Sequence, residues 1–93
     1  MSVKVNIPSV LRSAVGGSKS VEGQSGPLRE LLENLGNQYP ELREQVLDED
    51  GQLHRFVNIY VNDEDVRYLD GLETKVAEGD VVAILPAVAG GDT

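Results

Sequence analysis

The sequence predicts an α+β fold, a mixed sheet of four to five strands with one main helix packed on one face. Three features predict it. An alternating strand opens the chain, a leucine-striped helix follows, and an apolar strand closes the domain. Shorter strands fill in an order of strand, strand, helix, strand, short strand, strand. A hairpin followed by a crossover helix allows the first and last strands to lie side by side in parallel at the sheet centre.

Val3-Lys4-Val5-Asn6-Ile7 alternates apolar and polar residues, the period of a half-buried strand, and Pro8 closes it. Gly16-Gly17-Ser18 forms a turn into a short second strand over residues 19–22. Ser25-Gly26-Pro27 opens the helix, with Pro27 at the first helical position and Gly26 or Ser25 as the cap. Leu28, Leu31, Leu32 and Leu35 recur at i, i+3, i+4 and i+7, a single apolar stripe facing the core. Pro40 interrupts that pattern, and residues 41–47 predict a second short helix ending in the acidic turn Asp48-Glu49-Asp50-Gly51.

Residues 56–62 form the strongest strand, with Val57, Ile59 and Val61 on one face and Phe56, Asn58, Tyr60 and Asn62 on the other. Asp63-Glu64 turns into a short strand around Val66-Arg67-Tyr68. Residues 81–85 are apolar on both faces, as expected of a central strand.

At 93 residues the chain is one domain with a modest core, too small for a deep self-contained active site. Residues 1–86 are expected to form the domain and residues 87–93 a flexible tail. Without Cys there is no disulfide, thiolate zinc site or cysteine nucleophile. No apolar run reaches membrane-spanning length, and the N-terminus lacks a signal-peptide pattern, so the expected location is cytoplasmic. Eight Lys plus Arg against sixteen Asp plus Glu give a formal net charge of -8. That balance disfavours nucleic acid and anionic membrane and favours encounter with a basic protein surface.

The acidic runs 48–50 and 63–65 lack the alternating ligands and distant Glu of a calcium loop, so solvated turns are expected and no metal. His54 has no Ser, Cys or second His at readable spacing. Gly16-Gly17-Ser18-Lys19-Ser20 lacks the glycine before lysine that a phosphate loop requires. No catalytic set emerges. Phe56, Tyr60 and Tyr68 are aromatic candidates for a partner-docking face, against the alternative that they finish the core.

The tail runs Leu85-Pro86-Ala87-Val88-Ala89-Gly90-Gly91, then Asp92-Thr93. Two residues without Cβ can thread a slot too narrow for any other. A frayed end is the plain alternative.

The predicted strand order is the β-grasp arrangement of ubiquitin. The helix opening Pro27-Leu28-Arg29-Glu30-Leu31-Leu32, the strand and turn Val61-Asn62-Asp63-Glu64 and the close over residues 81–91 together resemble the ubiquitin-like sulfur carriers. That family includes the molybdopterin synthase small subunit and the thiamine-synthesis sulfur carrier. Residues 53–67 look closest to the actinobacterial carriers of cysteine biosynthesis. The resemblance implies that Gly91 is the attachment point. An adenylating enzyme of the ubiquitin-activating type would use ATP and magnesium to form an acyl-adenylate there, and sulfur would displace AMP to leave a thiocarboxylate. Ala89 and Gly90 would thread into the partner's active site. The implied partners are that enzyme, a sulfur-acceptor enzyme such as a cysteine synthase homologue, and a metalloprotease-type hydrolase.

The chain departs from this pattern at its end, since the Gly91 carboxyl is in a peptide bond to Asp92. The expectation is a proform cut between Gly91 and Asp92, the alternative being that the last two residues are foreign to the natural chain. Three functions compete: a sulfur carrier, a modifier joined to lysines through Gly91, and a binding module with an inert tail. For a carrier the end product stays open between cysteine, a cofactor and a sulfur-containing natural product, and the small subunit of molybdopterin synthase is a further alternative.

Overall fold

The computed structural model describes residues 2–55 and 57–86. The elements run β1 (Ser2–Asn6), a 3-10 helix (Ser9–Val15), β2 (Ser20–Gln24), β3 (Gly26–Pro27), α1 (Leu28–Gln38), α2 (Pro40–Val46), β4 (Val57–Val61), β5 (Glu64–Asp65), 3-10 helices over Val66–Tyr68 and Gly71–Glu73, β6 (Lys75–Val76) and β7 (Val81–Pro86). Five strands form one sheet in the order β2-β1-β7-β4-β5, and β3 pairs with β6 in a separate ribbon. This is the expected β-grasp. β1 and β7 run parallel at the centre, with Lys4, Val5 and Asn6 opposite Val81, Val82 and Ala83.

Period-two alternation drives the sheet. Val3, Val5, Val57, Ile59, Val61, Val82 and Ile84 point inward and are buried. The helical layer meets them with Leu28, Leu31, Leu32, Leu35, Leu42 and Val46. Gly23 of β2 lies under Leu31, where an added Cβ would stand 3.0 Å from its Cγ. The helix crosses the sheet closely at that point because the glycine leaves room.

Several boundaries differ from expectation. Pro27 precedes α1 instead of opening it: Gly26 and Pro27 are held in the ribbon opposite Val76 and Lys75, and the Leu28 N–H donates to Thr74 O at 2.8 Å. That bond satisfies a first-turn donor, and Pro27 makes no side-chain cap. Pro40, read as an interruption, is the first residue of α2. The expected strand around Val66-Arg67-Tyr68 is a 3-10 helix. Asn62 (φ 51°) and Asp63 (φ 72°) make the left-handed two-residue turn of a tight hairpin, so strand pairing returns at once at Glu64 and Asp65. The Asp65 carboxylate then accepts from the Arg67 N–H at 2.8 Å and starts the helix. Phe56, expected to begin β4, lies outside the described residues.

Candidate carboxyl-terminal site and docking face

Both α-helices pack on one face of the sheet, so among the described residues no second layer lies above those that alternate outward. Leu85 and Val81 of β7 are 43% and 37% exposed. The expectation that β7 is buried on both faces is therefore corrected: the strand is central, but one side is open. In register beside it are Asn58 and Tyr60 of β4, opposite Leu85 and Ala83, and Lys4 and Asn6 of β1, opposite Val81 and Ala83. The open face thus has an apolar ridge, Val81-Ala83-Leu85, between polar flanks.

Of the expected aromatic trio, Tyr60 lies on this face, half-buried. Tyr68 is off the sheet, on the short 3-10 helix, and 88% exposed. The third, Phe56, lies outside the described residues; of the two that are described, Tyr60 is on the open face and Tyr68 is not. Val81 and Leu85 were missed because an uninterrupted apolar strand reads as doubly buried. The usable signal was the helix count, since the predicted helices cover only one side.

β7 ends at Pro86, which pairs with Val57 at the start of β4. Pro86, the last described residue, is thus at the end of the central strand. Ala89, Gly90, Gly91 and Asp92 lie beyond that point and outside the described residues. Arg67 braces the exit: its Nη2 donates to Val57 O at 2.9 Å, and its Nη1 donates to Asn58 Oδ1.

The opposite end of β7 is locked by side chains. Asp80 Oδ2 accepts from the Ala77 N–H at 2.8 Å, and its Oδ1 accepts from Asn62 Nδ2 at 3.0 Å. These donors, Ala77 first, hold the Asp80 carboxyl below its ordinary value by favouring the charged form. Asn62 Oδ1 in turn accepts from the Val81 N–H at 3.0 Å, which ties the β4–β5 turn to the first residue of β7.

The remaining candidates are local structure. Asp48 Oδ1 accepts from the Asp50 and Gln52 N–H groups, both at 2.9 Å, shaping the acidic turn. His54 is half-buried, and its backbone N–H donates to Val46 O at 2.7 Å. Among the described residues no cluster of three His, Cys, Asp or Glu side chains could hold a metal ion. No described helix is long and apolar enough to cross a membrane. A polar depression along β2, lined by Ser20, Glu22, Gln24, Gln38, Tyr39 and Glu78 among others, contains no His, Cys or Lys.

A five-strand sheet gripping one main helix, with its central strand leading to a diglycine, defines the ubiquitin-like β-grasp class. Within that class the chain belongs to the ThiS family, whose model matches residues 5–91. The sulfur carrier protein CysO of Mycobacterium tuberculosis (strain ATCC 25618 / H37Rv) is 52% identical over 93 residues, covering 98% of this chain and 100% of that protein. A chain in the crystal structure of the Amycolatopsis orientalis BexX/CysO complex superposes with a TM-score of 0.87 at 46% identity, covering 96% of this chain and 99% of that one. The solution structure of small archaeal modifier protein 1 from Methanosarcina acetivorans gives a TM-score of 0.83 at 32% identity, covering 97% and 96%.

Proposed function

We propose that this chain is a sulfur carrier whose reacting group is the carboxyl of Gly91. One observation carries the reading. A ThiS-family match runs through Gly91 and stops there, leaving Asp92 and Thr93 outside it on a chain 52% identical to a protein named as a sulfur carrier. Cleavage of the peptide bond after Gly91 frees its carboxylate. An adenylating enzyme then joins that carboxylate to the α-phosphate of ATP with magnesium, releasing pyrophosphate. Hydrosulfide attacks the acyl carbon, AMP leaves, and Gly91 keeps a thiocarboxylate.

The carrier supplies no general acid or base in this scheme. It is a protein co-substrate that binds, presents the acyl group and is released. The thiocarboxylate sulfur is a good nucleophile held on a protein, so its acceptor is chosen by docking. The open face carries Tyr60, Val81 and Leu85, apolar and aromatic groups of the kind that anchor interfaces. Complex formation by a relative is consistent with such docking. The resemblance of residues 53–67 to the cysteine-biosynthesis carriers favours an activated serine derivative as acceptor, handled by a cysteine synthase homologue. A metalloprotease-type hydrolase would then release the product.

The test is intact mass. Chain ending at Gly91, incubated with the adenylating enzyme, ATP, magnesium and sulfide, should gain the mass difference of sulfur for oxygen. Full-length chain should not. Sulfur acquired by chain that still carries Asp92 and Thr93 would refute the trimming step. The likeness to an archaeal modifier favours one second reading, capture of the activated Gly91 by lysine amines. Lysine-linked adducts in place of thiocarboxylate would decide for it.

A further inference from the structure

The register places a group of cations around the exit of β7. Strands β1 and β7 run parallel, so β1 ends where β7 ends. Strands β2 and β4 are antiparallel to those neighbours, so both begin at that same end. Two acid-free pieces meet there. Residues 7–21 contain no Asp or Glu, and neither do residues 51–62. Arg67 is brought to the same end by its bond to Val57 O.

Four cations come with them. Arg12 Nε donates to Ile7 O at 3.1 Å, just past the end of β1. Lys19 precedes β2, and its carbonyl accepts from the Ile7 N–H at 2.8 Å. Arg55 lies two residues before Val57, and Arg67 is bonded to Val57 itself. Lys19, Arg55 and Arg67 are exposed. These four are half of the eight Lys and Arg in a chain of net charge -8. The other end of β7 carries Asp63, Glu64, Glu78 and Asp80, with Lys4 beside it on β1 and Lys75 two residues before the turn that ends at Asp80. In the helical layer behind, Glu41 and Glu44 flank a groove against Val10 and Ala14, and Glu44, Asp48 and Glu49 line a second depression with His54, so acids bound the cationic region on that side. Charge therefore separates along the central strand, positive where the tail leaves and negative where the strand begins.

We propose that Arg12, Lys19, Arg55 and Arg67 form a collar that docks against an acidic protein lip, the Asp/Glu-rich rim of the cleft that receives the tail. This rests on the carrier reading for the tail's purpose, while the collar's ligand chemistry follows from the charge distribution. A uniformly acidic carrier would be repelled by such a rim. The collar reverses the local sign at the point of insertion, and the acidic far end turns away, so the field orients the carrier tail-first. Nucleic acid is the less suitable anion, because the remaining surface repels a long polyphosphate.

Two measurements test it. In the first, the isotope-labelled full chain is titrated with a hexaglutamate peptide and followed by amide chemical shifts. Shifts should centre on residues 12, 19, 55 and 67 and fade with added salt, leaving the 77–80 turn unmoved. The double variant K19E/R55E, which changes two exposed side chains and whose fold is checked by unmoved amide shifts elsewhere in the chain, should weaken binding at least tenfold. Shifts located elsewhere, or none, would overturn the collar. So would a single-stranded DNA hexamer binding the same residues more tightly than the peptide.

In the second, K19E/R55E ending at Gly91 is assayed with the adenylating enzyme. Its KM should rise about tenfold or more with kcat nearly unchanged. An unchanged KM with normal sulfur loading would sink the collar and leave the carrier reading intact. Absence of sulfur loading by the unaltered trimmed chain, with collar-centred peptide shifts, would do the reverse.

Discussion

Gly36 of α1 lies directly beneath Arg43 of α2, so that a Cβ on Gly36 would stand 2.7 Å from Arg43 Cδ and 2.8 Å from its Cβ. The two helices approach this closely because position 36 has no side chain. From there Arg43 reaches back to Glu33, its Nε and Nη2 donating to the two carboxylate oxygens at 3.0 and 3.1 Å. Gly36→Ala sets two effects against each other. Helix propensity favours Ala by about 1 kcal/mol, whereas overpacking costs roughly 1–3 kcal/mol. The clash includes the Arg43 Cβ, which cannot swing away without moving α2, so the clash should win. Urea denaturation should show a net loss of stability; a more stable variant would mean the helices part without penalty.

The Asn62–Asp80 lock predicts an acid-sensitive limb of stability. Bonds from the Ala77 N–H and Asn62 lower the Asp80 pKa in the folded state. The Arg43 hydrogen bond does the same for Glu33. A depressed folded value means the unfolded chain takes up its proton first as pH falls. The stabilisation is thus complete above the unfolded carboxylate pKa and is lost as pH falls through the folded one. Both groups are only half-buried, so solvent screens them and each contribution is small. Melting temperatures followed from neutral pH down to about pH 3 should fall less steeply for Asp80→Asn than for the parent. Parallel curves would show that the lock adds nothing.

How much of this was legible follows from which physical signal each element carries. The Leu28–Leu35 stripe and the Val57/Ile59/Val61 alternation were readable because each buries one face at its own period. The parallel β1–β7 pairing followed from strand order. The 3-10 helix Ser9–Val15 has no such period, and Val15 is its one buried residue. Val66 misled for a related reason. It is fully buried, as a strand residue would be, but the Asp65 cap bends its segment into a 3-10 helix. The charged collar was invisible in composition because it is assembled by register from residues 12, 19, 55 and 67, far apart in sequence.

The two faces of the sheet should separate stability from binding. Ile59 is fully buried, so Ile59→Ala should cost roughly 2–5 kcal/mol through lost burial and a residual cavity. Leu85 sits opposite Asn58 on the open face and is 43% exposed. Leu85→Ser should leave the melting temperature nearly unchanged and weaken binding to the adenylating enzyme by about tenfold, the scale of an interface anchor. Calorimetric titration and thermal melts on both variants check the contrast. A Leu85→Ser protein that binds normally would remove the open face from the docking surface.

The tail itself gives the sharpest test of the carrier reading. Gly90 stands next to the acyl carbon that must reach ATP in the partner's site. Gly90→Val adds a branched side chain there and restricts the backbone. A displacement of about 1 Å at a reacting centre costs on the order of a hundredfold in rate. Chain ending at Gly91 and carrying Gly90→Val should therefore be adenylated about a hundredfold more slowly, read by pyrophosphate release. Its melting temperature should not change, because the substitution lies past β7, which ends at Pro86. A variant adenylated as fast as the parent would show that the diglycine is not threaded through a narrow slot, and the reason for two glycines before the reacting carboxyl would disappear.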